Sequence, residues 1–189
     1  MCKFPNGELY FESQLDIDTD RSQYWSEDGP PAKPFGSPNT SARWADGKSL
    51  DADLINYFVL PGGFYAHHGI SVGDIGVVIR DIRMTYACFG DVGPSGKLGE
   101  GSIALHRELG NETIRDRDSA DGGHLINGLK GGNGIASGVI TIVFPGSGNG
   151  LGRTNRESAT IGSALFEKLN RQAERWGNQD LRQGPDFAA

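Results

Sequence analysis

The sequence predicts a small, mainly β fold, a barrel of five or six short strands with long loops and a C-terminal amphipathic helix. Three observations carry that expectation. Glycine supplies 29 of the 189 residues, about double its usual share of ~7%, and glycine weakens helix interiors while supplying turns. The apolar residues fall in short runs closed by Pro-Gly or Gly, as strands do. Only one stretch, near the C-terminus, carries a sustained helical period. The length fits one domain, residues 1–189, large enough to bury a core. No run of ~18 apolar residues occurs, which excludes a membrane-crossing helix.

In chain order, residues 8–20 read as one or two extended segments. Leu15, Ile17 and Thr19 alternate there with Asp16, Asp18 and Asp20, a period of two that gathers the three carboxylates on one strand face. Residues 21–49 hold Pro30, Pro31, Pro34 and Pro38 and predict a long irregular loop, the kind that often serves as a lid or binding element. Ile55 to Leu60 reads as a buried strand ended by Pro61-Gly62-Gly63. Ile75 to Ile79 and Met84 to Phe89 read as two more strands, and the chain then turns through Gly90 to Gly96. Ser102 is the expected N-cap of a short helix that ends before Gly110. Residues 111–136 are polar and glycine-rich, hence mostly loop. Val139 to Phe144 gives the strongest strand signal. Ile161, Leu165, Leu169 and Ala173, spaced four apart, predict an amphipathic helix over 158–176 that ends at Gly177.

Charge narrows the partners. The 24 acidic residues exceed the 18 basic ones, for a net charge of −6. Such a balance argues against nucleic acid, whose phosphates need clustered Lys and Arg, and suits a cationic partner. Cys2 and Cys88 could form at most one disulfide; Cys88, in an apolar stretch, reads as a free buried thiol. The first seven residues contain no apolar stretch of the secretory kind. The expectation is a cytoplasmic protein or a chain trimmed to its mature part.

Asp91 and Glu100 each sit beside glycines, where the backbone can approach a ligand. By residue type alone they are ordinary turn and cap residues. Together they are also the pair that glycosidic cleavage requires, one protonating the leaving oxygen and one activating water or attacking carbon. A second feature is the strip from Glu8 to Asp20, with five acids and no Lys or Arg. Asp16, Asp18, Asp20 and Glu27 also fall at positions 1, 3, 5 and 12 of an EF-hand loop. Arg21 stands where that loop needs Gly, neither flank reads as a helix, and no metal site is expected. Among the aromatics Tyr10, Tyr24, Trp25, Trp44 and Tyr65, most read as core, while Trp25 and Trp44 are candidates for stacking on sugar rings. His67-His68 lacks further ligands at a suitable spacing. The string Pro145 to Gly152 meets neither a dinucleotide nor a P-loop pattern.

The strings Phe11 to Asp20, Leu54 to Pro61, Phe89-Gly90-Asp91-Val92-Gly93-Pro94 and Gly99-Glu100-Gly101-Ser102-Ile103-Ala104-Leu105 resemble the glycoside hydrolase family 75 chitosanases, in the same order. The resemblance implies that Asp91 and Glu100 are the essential carboxylates. It also implies hydrolysis of internal β-1,4 bonds of chitosan with inversion, without a cofactor, by a secreted protein. Under this reading Glu12, Asp16, Asp18 and Asp20 hold the amines of chitosan or glucosamine oligomers, and the protein acts as a monomer. Arg21 departs from that family, which usually has Gly there. A fainter resemblance, carried by Asp91, Gly93, Pro94, Glu100, Ser102, Leu109 and Gly110, is to double-psi β-barrels such as rare lipoprotein A and the expansins, and it implies a six-stranded double-psi barrel. Within the pair, a helix N-terminus just beyond Glu100 favours the base role there, and the apolar stretch before Asp91 favours the acid role there. Two other functions remain open on the sequence: a non-catalytic polysaccharide-binding barrel, and a lytic transglycosylase-like enzyme on peptidoglycan.

Overall fold

Each short apolar run forms a strand, and the strands close on one another. The computed structural model describes residues 1–22, 36–116, 124–126 and 134–180. Its elements run β1 (Cys2–Lys3), β2 (Leu9–Asp18), β3 (Tyr57–Pro61), α1 (Phe64–His67), β4 (Ile75–Arg80), β5 (Arg83–Gly93), β6 (Glu100–Ser102), α2 (Ile103–Glu108), β7 (Ile114–Asp116), β8 (His124–Ile126), β9 (Ile135–Phe144) and α3 (Asn155–Asp180). The main sheet has the order β1-β2-β6-β3-β5-β4-β9, and β2 also pairs with β9. That last pairing turns six strands into a closed barrel, which removes the free edges an open sheet would expose. β2–β6 and β3–β5 are parallel while the other main pairings are antiparallel. This mixture is compatible with the double-psi connectivity expected.

Alternation along the strands splits the core by face. Leu9, Phe11 and Leu15 of β2, Phe58 and Leu60 of β3, Val78 of β4, Phe89 of β5 and Val139 and Val143 of β9 fill the barrel, with Leu105 and Leu109 of the α2 segment among them. On the outer face, Tyr57, Val59, Ile75 and Cys88 are covered by Ala42, Leu50 and Ala52 of the long loop and by Ile103. A third cluster, Val77, Ile142, Phe144 and Leu169, lies under α3.

One irregularity decides where the candidate residues point. Phe58 pairs with Phe89, but Val59 pairs with Asp91, so Gly90 is an extra residue in β5. A bulge of this kind flips everything beyond it to the other face. Phe89 faces the barrel interior, whereas Asp91 faces outward beside Val59. Asp91 is therefore a strand residue, because β5 continues to Gly93; the turn expected to start at Gly90 begins only after Gly93. Glu100 likewise opens a three-residue strand, β6.

The helices follow their caps. The side chain of Ser102 accepts a hydrogen bond from the Leu105 amide, and α2 ends before Gly110 as expected. α3 begins earlier than its apolar period indicated. Thr154 and Glu157 form a reciprocal capping box, with the Glu157 amide 3.2 Å from Thr154 Oγ1 and the Thr154 amide 2.9 Å from Glu157 Oε2. The helix continues past Gly177. Within the stretch read as loop, β7 and β8 pair as a two-stranded ribbon. Cys2 and Cys88 are both free, and Cys88 is buried. No helix among the described residues is long and apolar enough to cross a membrane.

The bulge depends on Gly90 having no side chain. A Cβ there would meet Tyr57 Cβ at 2.4 Å and Cγ at 2.5 Å. Gly90→Ala is expected to destabilise the protein by about 2 kcal/mol or more, the cost of overpacking a tight core. Its urea midpoint should fall accordingly, and an unchanged midpoint would contradict this account of the bulge.

Candidate active site

Strand pairing alone brings the carboxylates together. Val59 of β3 stands opposite Asp91 on one side and Glu100 on the other. Asp16 and Asp18 of β2 stand opposite Glu100 and Ser102 of β6. Residues in register share a face, so Asp16, Glu100, Val59 and Asp91 form a row across four strands, with Val59 as the apolar floor between the two acids. Gly93 adds a finer constraint: a Cβ there would sit 2.8 Å from Glu100 Oε2 and 2.9 Å from Val59 Cγ1. The Glu100 carboxylate thus leans across β3 into space that Gly93 leaves free. That is one same-face position beyond Asp91, on the order of 7 Å along the strand.

Each carboxylate has its own setting. Asp91 is buried, and its Oδ1 accepts from the Ser41 amide at 2.8 Å, the Ser41 hydroxyl at 2.5 Å and the Val92 amide at 2.8 Å. Glu100 Oε1 accepts from Lys97 Nζ at 2.6 Å, and the same ammonium lies 3.2 Å from Asp16 Oδ2. Partial burial disfavours the Lys97 charge, yet its bonds to Glu100 and Asp16 carry its pKa above the ordinary value.

Asp18 and Asp20 join Asp91 in a tighter group. One oxygen from each of the three lies within 4.8 Å of the others. Burial, first, and then the Asp20 charge push Asp18 well above the ordinary carboxylate range, despite the Asp20 amide that donates to its Oδ1 at 2.8 Å. Burial also raises Asp20, to about 7. Its hydrogen bond to Asp91 and the charges of Asp91 and Glu100 add to that rise, while the Ser37 amide, 2.6 Å from Asp20 Oδ1, opposes it. Crowded carboxyls cannot all ionise, so the group retains a proton near neutrality. Tyr57 is buried beneath the same group and raised by burial and by Asp18.

Other sequence candidates fall elsewhere. Glu12 is exposed and pairs with Ile140 of β9, on the half of β2 that does not reach β6. Four strand residues, ~13 Å, separate it from Asp16. Trp44 is half-buried and packs on the cluster around Ala42 and Leu50. Tyr10 and Tyr65 pack into the core, Tyr65 with its ring 5.2 Å from that of Phe89. Tyr24, Trp25 and Glu27 lie outside the described residues. Sequence reasoning missed Ser41, Ser37 and Lys97. Lys97, three residues before Glu100 in the same excursion, carried a legible signal as an opposite charge at close range. Ser41 and Ser37 carried none.

Behind the row, His106 of α2 is fully buried. The Asn111 side-chain amide, 3.0 Å from its Nδ1, can only donate, so Nε2–H donates to the Asp16 carbonyl at 3.0 Å. The imidazole is thereby fixed as one neutral tautomer that ties α2 to the strand carrying Asp16.

Compared with models of known protein families, residues 15–183 match the fungal chitosanases of glycosyl hydrolase group 75. No curated protein matches the chain.

Burial lowers the pKa of His106 from 6.5 to about 4. Between those values the unfolded chain binds a proton that the folded one refuses, so this group removes stability as pH falls from about 6.5 towards 4. The loss it can supply is about 3 kcal/mol, at ~1.4 kcal/mol per unit. Asp18 and Asp20, raised on folding, act in the opposite sense over that window. The measurement is therefore the difference between wild type and His106→Gln in urea unfolding across it. The variant should show the shallower acid loss, and parallel curves would contradict the assignment.

Proposed function

The chain belongs to the fungal chitosanases of glycosyl hydrolase group 75, and from that premise we propose that Asp91 and Glu100 cleave internal β-1,4 linkages as an inverting acid–base pair. The family is one of glycosidases that hydrolyse chitosan, a polymer of amine-bearing sugars. The observation that carries the mechanistic reading is the placement of both carboxylates on one face, either side of Val59, with the Glu100 carboxylate across from Gly93. Same-face positions along a strand stand about 7 Å apart, a spacing compatible with the ~6.5–9.5 Å that an inverting pair needs to leave room for an attacking water.

In this mechanism Asp91 delivers a proton to the departing glycosidic oxygen, and Glu100 draws one from a water that attacks the anomeric carbon from the opposite side. Lys97 supports the base role of Glu100, because an ammonium at 2.6 Å pairs with a carboxylate rather than with a carboxylic acid. Asp20 supports the acid role of Asp91, since Asp20, raised to about 7 and hydrogen-bonded to Asp91, keeps a proton beside it near neutral pH. Asp16, Asp18 and Asp20, with Glu12 farther along β2, offer carboxyl oxygens to protonated amines, and Trp25 and Trp44 offer rings for sugars to stack on. A chain working on such a polymer acts outside the cell. The domain spans residues 1–189 and works as a monomer.

Asp91→Asn and Glu100→Gln should each lower reducing-end release from chitosan by roughly 10²–10⁴-fold. Nuclear magnetic resonance of fresh products should show the α-anomer first. Near-normal activity in either variant, or a β-anomer product, would overturn this mechanism. On a substrate with an activated leaving group Asp91→Asn should recover and Glu100→Gln should not; the reverse would exchange the two roles. On soluble glucosamine oligomers, kcat/KM should fall as pH rises through about 7, where Asp20 loses its proton. A rate that stays level well above that pH would contradict the proton reserve.

A further inference from the structure

We propose that Ser41, on the long loop, is a positioning residue that fixes the orientation of the Asp91 carboxyl group and turns its Oδ2 towards the substrate. The inference rests on Asp91 being the acid, and it concerns a residue that neither the sequence motifs nor the family match singles out.

The bulge creates the docking point. As the extra residue in β5, Gly90 is left out of the β3 register, and its carbonyl accepts from the Ala42 amide at 2.8 Å. That bond seats the loop directly against Asp91. The adjacent Ser41 then turns both of its donors on a single oxygen, with the amide 2.8 Å and the hydroxyl 2.5 Å from Asp91 Oδ1. The hydroxyl in turn accepts from the Val92 amide at 3.1 Å, which fixes the direction in which its own hydrogen points. Since the Val92 amide also reaches Oδ1, three donors converge on that atom. Three donors on Oδ1 orient the carboxyl group and leave Oδ2 as the oxygen through which a proton would pass to substrate.

The loop around Ser41 is braced for this task. Thr40 Oγ1 donates to the Ala42 carbonyl at 2.8 Å and accepts from the Leu50 amide at 2.9 Å. Ala42 and Leu50 are fully buried, and Arg43 forms a bridge to Ser49. Ser41 itself is exposed, so its side chain adds little to the core. A serine whose backbone is held and whose hydroxyl is spent on a catalytic carboxyl serves alignment, and misalignment lowers kcat more than binding.

Ser41→Ala keeps the backbone amide and removes only the hydroxyl, whereas Ser41→Thr keeps both donors. With chitosan as substrate, Ser41→Ala should lose about tenfold or more in kcat, with KM within about twofold and an unchanged melting temperature. Ser41→Thr should recover most of the rate. A Ser41→Ala enzyme with wild-type kcat overturns the proposal, as does a kcat loss that tracks a drop in melting temperature and is not recovered by Thr. Asp91→Asn is measured alongside. If that variant is active, the acid assignment itself fails. If it is inactive while Ser41→Ala is normal, only the role of Ser41 fails.

Discussion

The register of β3 between β5 and β6 is the constraint on which the rest of the site depends. Two acids nine residues apart in sequence meet because a single strand residue, Val59, pairs with both. Were Gly90 a regular strand residue instead of a bulge, Asp91 would share the interior face with Phe89, where a carboxyl would be desolvated among Leu60 and Val78. A one-residue backbone detail thus moves Asp91 from the core face to the outer face. Gly93 completes the arrangement by leaving unfilled the space into which Glu100 reaches.

Crowding carboxyls on one face has an electrostatic cost, and the structure offsets it locally. Lys97 bridges Asp16 and Glu100, Ser41 and the Val92 amide hold Asp91, and Ser37 holds Asp20. What remains uncompensated, burial first and then the neighbouring carboxyls, raises the pKa of Asp18 and Asp20. The site therefore divides into an ion-paired side, around Glu100 and Lys97, and a side of raised carboxyls, Asp18 and Asp20, packed against Asp91. Two carboxylates in such different surroundings are what acid–base cleavage of a glycoside calls for. Most of these compensating groups come from turns and from the long loop, while the strands carry the acids. The barrel sets the distances, and the connections set the chemistry of each group.

The sequence by itself determined the mainly β class, the positions of most strands, the Ser102-capped helix and the family to which the chain belongs. Apolar period, turn residues and capping chemistry act over a few neighbours, and motif strings keep their order along the chain. Even the early start of α3 was legible in Thr154 and Glu157. Tertiary structure alone decided that β5 runs on through Asp91, that Asp18 and Asp20 crowd Asp91 while Glu12 stands apart, and that Ser41 reaches back across fifty residues to its carboxyl. Those outcomes rest on which strand pairs with which, on a one-residue bulge and on a loop docking where the bulge frees a carbonyl. Pairing of distant segments leaves no local pattern, because the partner that fixes each side chain lies elsewhere in the chain.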